Sequence, residues 1–147
     1  MKFGFIAHPT SIALQRQVKI IDLLDRTLAE QDRGYQPDLW QPRNLVPFAD
    51  FGRIVSATGA TCEGILHYLP LTAEQMLSQP RSIAARVLDG VNSLKEQGAH
   101  LVGLGGFTAI VGNRGLQTQE RSGVAVTTGN SLTAYAAYNN VLEAMQR

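Results

Sequence analysis

Three short stretches of this chain hold the residues whose types could do chemistry. His8 closes the opening run KFGFIAH; Gly105, Gly106, Phe107 and Thr108 sit within LVGLGGFTAIVGN, which places four glycines in residues 101–113; Thr127, Thr128, Gly129 and Asn130 follow the run GVAV. Glycine lets backbone N–H groups approach an anionic or carbonyl oxygen, threonine and asparagine add short hydrogen-bonding side chains, and an imidazole can exchange a proton or contact a ligand. The same residue types also build ordinary strand–helix turns and helix caps. Two readings therefore stand side by side. Either these nine residues line a cleft, or they turn the chain sharply and pack tightly, with His8 as a packed or capping group.

One cofactor motif is ruled out directly. In Gly103-Leu-Gly105-Gly106-Phe-Thr108 a threonine occupies the place where the dinucleotide fingerprint G-x-G-x-x-G requires its third glycine, and no acidic residue ends a suitable next strand. The segment does not bind NAD(P). Cys62, the one cysteine, falls inside a predicted hairpin strand, away from any helix N-terminus that would lower its pKa; an inert thiol and a nucleophile are the two alternatives. His67 and His100 read as structural or exposed, and Asp22, Asp25, Glu30 and Asp32 as the solvated face of a helix. No Cys/His spacing resembles a metal site, so no metal is expected.

The elements that must position these residues follow from hydrophobic periodicity. The apolar run at 2–8, bounded by Pro9, reads as a buried strand. Leu14, Val18, Ile21, Leu24 and Leu28 recur at helical spacing over residues 12–31, with Thr10 or Ser11 as the cap and Gly34 as the stop. Residues 35–50, with Pro37, Pro42 and Pro47 among Trp40, Leu45, Val46 and Phe48, read as an irregular connection. Two β-prone runs around Thr58-Gly59-Ala60 predict a hairpin over residues 53–68. A helical turn at 73–77 is followed by a helix carrying Ile83, Val87, Val91 and Leu94 on one face and ending at Gly98. A strand at 100–106, a turn of helix at 107–111, a charged loop at 113–122, a strand at 123–127 and a helix at 132–146 complete the pattern. Ser131 or Asn130 is the expected cap of that last helix, on which Tyr135 and Tyr138 pack or face a partner domain.

Strands alternating with helices imply an α/β domain with a mostly parallel open sheet flanked by helices and a β-hairpin insertion. In such sheets the loops at the carboxyl ends of the strands carry function. His8 and both glycine turns should then share one rim. The 147 residues, 44% hydrophobic and 17% charged, fit one domain able to bury a core. A net charge of +1 provides no basic field for nucleic acid. Gly4, His8 and Pro9 interrupt the opening apolar run before a signal segment or span could form, so a cytoplasmic protein with no integral membrane segment is expected.

LGGFT and VTTGNSLTAYAA, with the opening FGFIAHPTS and the stretch IVSATGATCEGILHYLPL, resemble the N-terminal portion of the cyanobacterial-type long-chain acyl-(acyl carrier protein) reductases. The likeness is spread over nearly the whole chain; residues 31–51 match poorly. It implies the substrate-side N-terminal domain of an aldehyde-forming, NADPH-dependent acyl-thioester reductase of the two-domain Rossmann type. The NADP-binding domain and the acyl-accepting cysteine would lie in later segments not in this chain, so this chain alone would bind no cofactor, hold no catalytic residue and be inactive. The implied partners are an acyl thioester, an acyl carrier protein and the missing cofactor domain. The resemblance puts the amides of Gly105, Gly106 and Phe107 beside the reacting carbonyl, with Thr128 and Asn130 orienting substrate or nicotinamide. A small-ligand-binding or regulatory module and a carrier-docking domain are the alternatives.

Overall fold

The computed structural model describes residues 1–9, 46–111 and 113–145. The helix expected over 12–31, its caps and acidic face, and the connection up to residue 45 lie outside the described residues. The elements are β1 (Lys2–Ala7), β2 (Val46–Val55), β3 (Thr61–Tyr68), α1 (Ala73–Ser78), α2 (Pro80–Glu96), β4 (Leu101–Leu104), α3 (Phe107–Val111), α4 (Leu116–Ser122), β5 (Ala125–Thr127) and α5 (Asn130–Met145). The strands form one sheet in the order β2-β3-β1-β4-β5, parallel throughout except for β2, which runs antiparallel to β3. This is the expected α/β class. The hairpin, however, is no appendage, because β3 pairs directly with β1.

Register sorts the side chains by face. Gly4 and Ile6 pair with Ile65 and His67 on one side and with Val102 and Leu104 on the other, and these residues face α2. Ile83, Val87, Val91 and Leu94 of α2, spaced by three and four, are all fully buried and meet Ile6, Val102 and Leu104 in the core. Gly4 has no side chain because a Cβ there would stand 2.7 Å from Leu94 Cδ1. Phe3, Phe5, Leu101, Gly103, Ala125 and Thr127 point to the opposite face, where Phe5 is 37% exposed and Phe3 stacks on Phe51 with ring centroids 6.4 Å apart. Of α5, no residue is buried. Tyr135 and Tyr138, expected to pack or face a partner, are exposed.

Two expectations are corrected. The strand β2 begins at Val46, inside the stretch read as an irregular connection. Proline is tolerated there because β2 is the edge strand and its pairing is irregular at Pro47/Ala49 and again at Asp50/Gly52. The loop expected over 113–122 contains α4, flanked by Gly115 and Gly123 in left-handed backbone. Its buried residues are Thr118 and Ser122, and Lys95 Nζ donates to the Ser122 carbonyl at 2.8 Å. No helix among the described residues is long and apolar enough to cross a membrane.

Candidate functional site

The chain leaves β1, forms β3 on one side of it, then crosses by α2 to β4 on the other side. The carboxyl ends of β1 and β4 are therefore the topological switch point, where open α/β sheets leave a crevice for ligands. His8 follows β1, and Gly105, Gly106 and Phe107 follow β4. The two stretches meet there. The next strand, β5, brings Thr127, Thr128 and Gly129 to the same rim, since Gly103 pairs with Thr127.

Much of the turn's space is taken by the protein itself. Gly105 N–H donates to the Ile6 carbonyl at 2.9 Å, and Phe107 N–H donates to His8 Nε2 at 2.9 Å. Because Nε2 accepts, the proton resides on Nδ1, which donates to the Pro9 carbonyl at 2.7 Å. Burial holds His8 below the ordinary histidine range, while the Pro9 hydrogen bond pulls the other way. Gly106 adopts φ +56, and a Cβ on it would stand 2.6 Å from His8 Nε2. The His8 and Phe107 rings meet edge to face, 5.9 Å apart. Phe5 explains Gly103 and Gly105: a Cβ on Gly103 would lie 2.5 Å from Phe5 Cδ2, and one on Gly105 would lie 3.0 Å from Phe5 Cζ.

A cavity of about 250 Å³ remains beside that ring, on the face turned away from α2. Phe3, Phe5 and Leu101 supply its apolar walls, Gly103 and Gly105 its tight side, and Thr127, Thr128 and Gly129 its rim. No ionisable side chain lines it. Thr127 Oγ1 accepts the Gly129 N–H at 3.4 Å, leaving its own proton to donate. Of the residues singled out in the sequence, Gly105, Thr127, Thr128 and Gly129 reach this cavity, and His8, Gly106 and Phe107 form the closed turn next to it. Thr108 is fully buried and its hydroxyl donates to the Gly105 carbonyl at 2.8 Å, fastening the turn from within. Asn130 is exposed in the first turn of α5. Phe3, Phe5, Leu101 and Gly103 were not singled out. A glycine in the middle of a four-residue strand is the signal that something bulky crosses it.

The remaining candidates lie elsewhere. Cys62 and His100 border a separate cavity of about 440 Å³ with Lys2, Arg53, Thr61 and Glu63, residues at the amino-terminal ends of β1, β3 and β4 and the far end of β2. His67 is buried under α2 with Gln97 Nε2 3.3 Å from its Nε2, and its Nδ1 has no partner among the described residues. Its burial pushes the imidazole pKa down. Among the described residues no three His, Cys, Asp or Glu side chains come together as metal ligands.

No protein-family model matches the chain. Over 143 residues it is 59% identical to the Aminotransferase PigE of Serratia sp. (strain ATCC 39006), a stretch that makes up 97% of this chain and 17% of that protein. The chain thus spans about a sixth of the length of the curated relative it matches. This overturns the resemblance to acyl-(acyl carrier protein) reductases, and with it the expected aldehyde-forming reduction and the oxidoreductase assignment, because a relative identical at more than half of its aligned positions is named for amino transfer. The motifs that carried the resemblance have a local cause. LGGFT accommodates Phe5 and His8, and TTGN is a threonine-closed turn into a helix.

Proposed function

We propose that this chain is a ligand-holding domain of a longer protein akin to the aminotransferase it matches, and that it binds the apolar part of a small uncharged molecule in the β1–β4–β5 cavity. The observation that carries the reading is the lining: aromatic and aliphatic walls, a threonine rim and no charge. Apolar concavities with a few polar groups at the mouth are the common form of small-molecule sites. The identity to an aminotransferase supports membership of a larger amino-transferring protein, but the cavity does not fit a pyridoxal-type cofactor, which is held through a lysine Schiff base and an acidic or basic partner at its ring nitrogen. The described lysines, Lys2 and Lys95, donate to the carbonyls of Gln97 and Ser122 and do not line the cavity. The domain's part is to hold and orient, with Thr127 and Thr128 hydroxyls meeting a polar end of the ligand.

Hexanol serves as the probe. Titrated into the ¹⁵N-labelled chain, it should give saturable shifts at the Gly105, Thr128 and Gly129 amides, and Thr128→Phe, which fills the mouth, should abolish them. Shifts scattered over the surface, or unchanged in Thr128→Phe, would remove the cavity from consideration.

A further inference from the structure

His8 occupies the crevice in which this kind of sheet ordinarily receives a ligand. Its ring stands where any Cβ on Gly106 would go, its Nε2 holds the Phe107 N–H, and its Nδ1 proton is fixed on the Pro9 carbonyl. Every polar atom of the imidazole is committed, and the commitment is possible in only one protonation state. We propose that His8 is a proton-operated latch: the neutral ring ties the end of β1 to the turn after β4, and protonation at Nε2 opens that turn.

The chemistry is a matter of donors and acceptors. A proton arriving from solvent on Nε2 takes the lone pair that the Phe107 N–H uses, leaving two N–H donors facing each other at a 2.9 Å heavy-atom separation. The contact must break. Gly106, at φ +56 and exposed, is the joint at which the turn can swing, since glycine crosses between the left- and right-handed regions with little resistance. Nothing on the described neighbours offsets the new charge. The residues of α3, β4 and the Thr127–Thr128–Gly129 turn carry no ionisable side chain, and β1 offers only Lys2 at its other end. β3 contributes His67 and Tyr68 at this end, which pair with Ile6 and Ala7 and which burial drives toward their neutral forms, while its Cys62 and Glu63 lie at the opposite end of the sheet, Glu63 paired with Lys2. A released Phe107 N–H is a free donor at the crevice mouth, next to the cavity rim. This gating consequence rests on the cavity reading above; the latch itself does not.

NMR of the whole chain, from about pH 8 down past the range in which free histidines titrate until the His8 ring is protonated, tests both parts. In the unmodified protein the Phe107 amide should shift with the same midpoint as the His8 ring, and its hydrogen exchange, corrected for intrinsic rate, should quicken about tenfold as the hydrogen bond is lost. In His8→Gln, whose side-chain carbonyl can accept the same N–H but cannot titrate, protection should hold across the range; in His8→Phe it should be absent throughout. Protection of Phe107 that is indifferent to His8 protonation, or that falls with pH equally in both variants, overturns the latch. With the latch open hexanol should bind several-fold more tightly, and equal affinity on both sides of the midpoint overturns the gating. Should Phe107 follow His8 while hexanol binds at no pH, the cavity reading fails and the latch stands.

Discussion

Gly103 and Gly105 are small because Phe5 lies across them. A methyl group on Gly103 would press to 2.5 Å from Phe5 Cδ2, so Gly103→Ala must displace the ring that floors the cavity. Overpacking of this kind costs about 1–3 kcal/mol, which urea unfolding will resolve. Phe5→Leu in the same chain removes the obstructing ring, and the two changes together should cost clearly less than the sum of the singles. Simple additivity would show that the glycine answers to something else. Gly59, with open space around it and φ +85, is the contrast: Gly59→Ala should cost only the backbone penalty, about 1 kcal/mol. The glycine-rich break and the threonine turn were legible from residue types alone, and their meeting at one rim from the alternation of strands with helices. What fills the space was not, because Phe5 and His8 are separated from the glycines by most of the chain and nothing local announces which atoms will come to rest against them. Turn chemistry reused in unrelated contexts also explains how LGGFT and TTGN could suggest the wrong family.

Among the elements, those with a strong period were readable and those held by tertiary contacts were not. α2 was legible through Ile83, Val87, Val91 and Leu94, which form a continuous apolar stripe. α4 was invisible because its inward residues, Thr118 and Ser122, are polar, and its docking depends on Lys95 reaching the Ser122 carbonyl. β2 was read as starting too late because proline usually ends a strand, and only its place at the sheet edge makes Pro47 acceptable. The start of α1 is a local device with a testable strength. Gln75 N–H donates to Thr72 Oγ1 at 3.3 Å and Thr72 N–H donates to Gln75 Oε1 at 2.9 Å, a reciprocal capping box on a residue only 5% exposed. Thr72→Ala should lower stability by about 1 kcal/mol, and Thr72→Ser, which keeps the hydroxyl, by much less. Equal losses in the two variants would mean that the threonine methyl packing, not the cap, is what matters.

For the whole molecule the buried titratable groups set limits on both sides of neutrality. His8 and His67 are each held below the ordinary histidine range by burial, so on acidification the unfolded chain takes up protons before the folded one does. Protons bound preferentially by the unfolded state make stability fall as pH drops below about 6.5, and the loss levels off only once the folded histidines are themselves protonated. Above that pH both states hold neutral rings and the contribution is complete. Tyr68 works in the opposite sense. Its phenol, buried beside β1 and in ring contact with Phe48, is pushed up to about 12. The unfolded chain loses that proton near pH 10, so stability should fall again as pH rises from about 10 toward the folded value. Urea midpoints measured across pH should therefore describe a plateau with two falling limbs. Combining His8→Gln with His67→Gln should flatten the acid limb, and Tyr68→Phe the alkaline one, each without altering the other. An acid limb that survives intact in the double variant would place its cause among other groups and would leave the His8 latch without energetic weight in the folded state. A limb that disappears, with Phe107 released over the same range, ties the opening of the switch-point crevice to the proton that also loosens the domain.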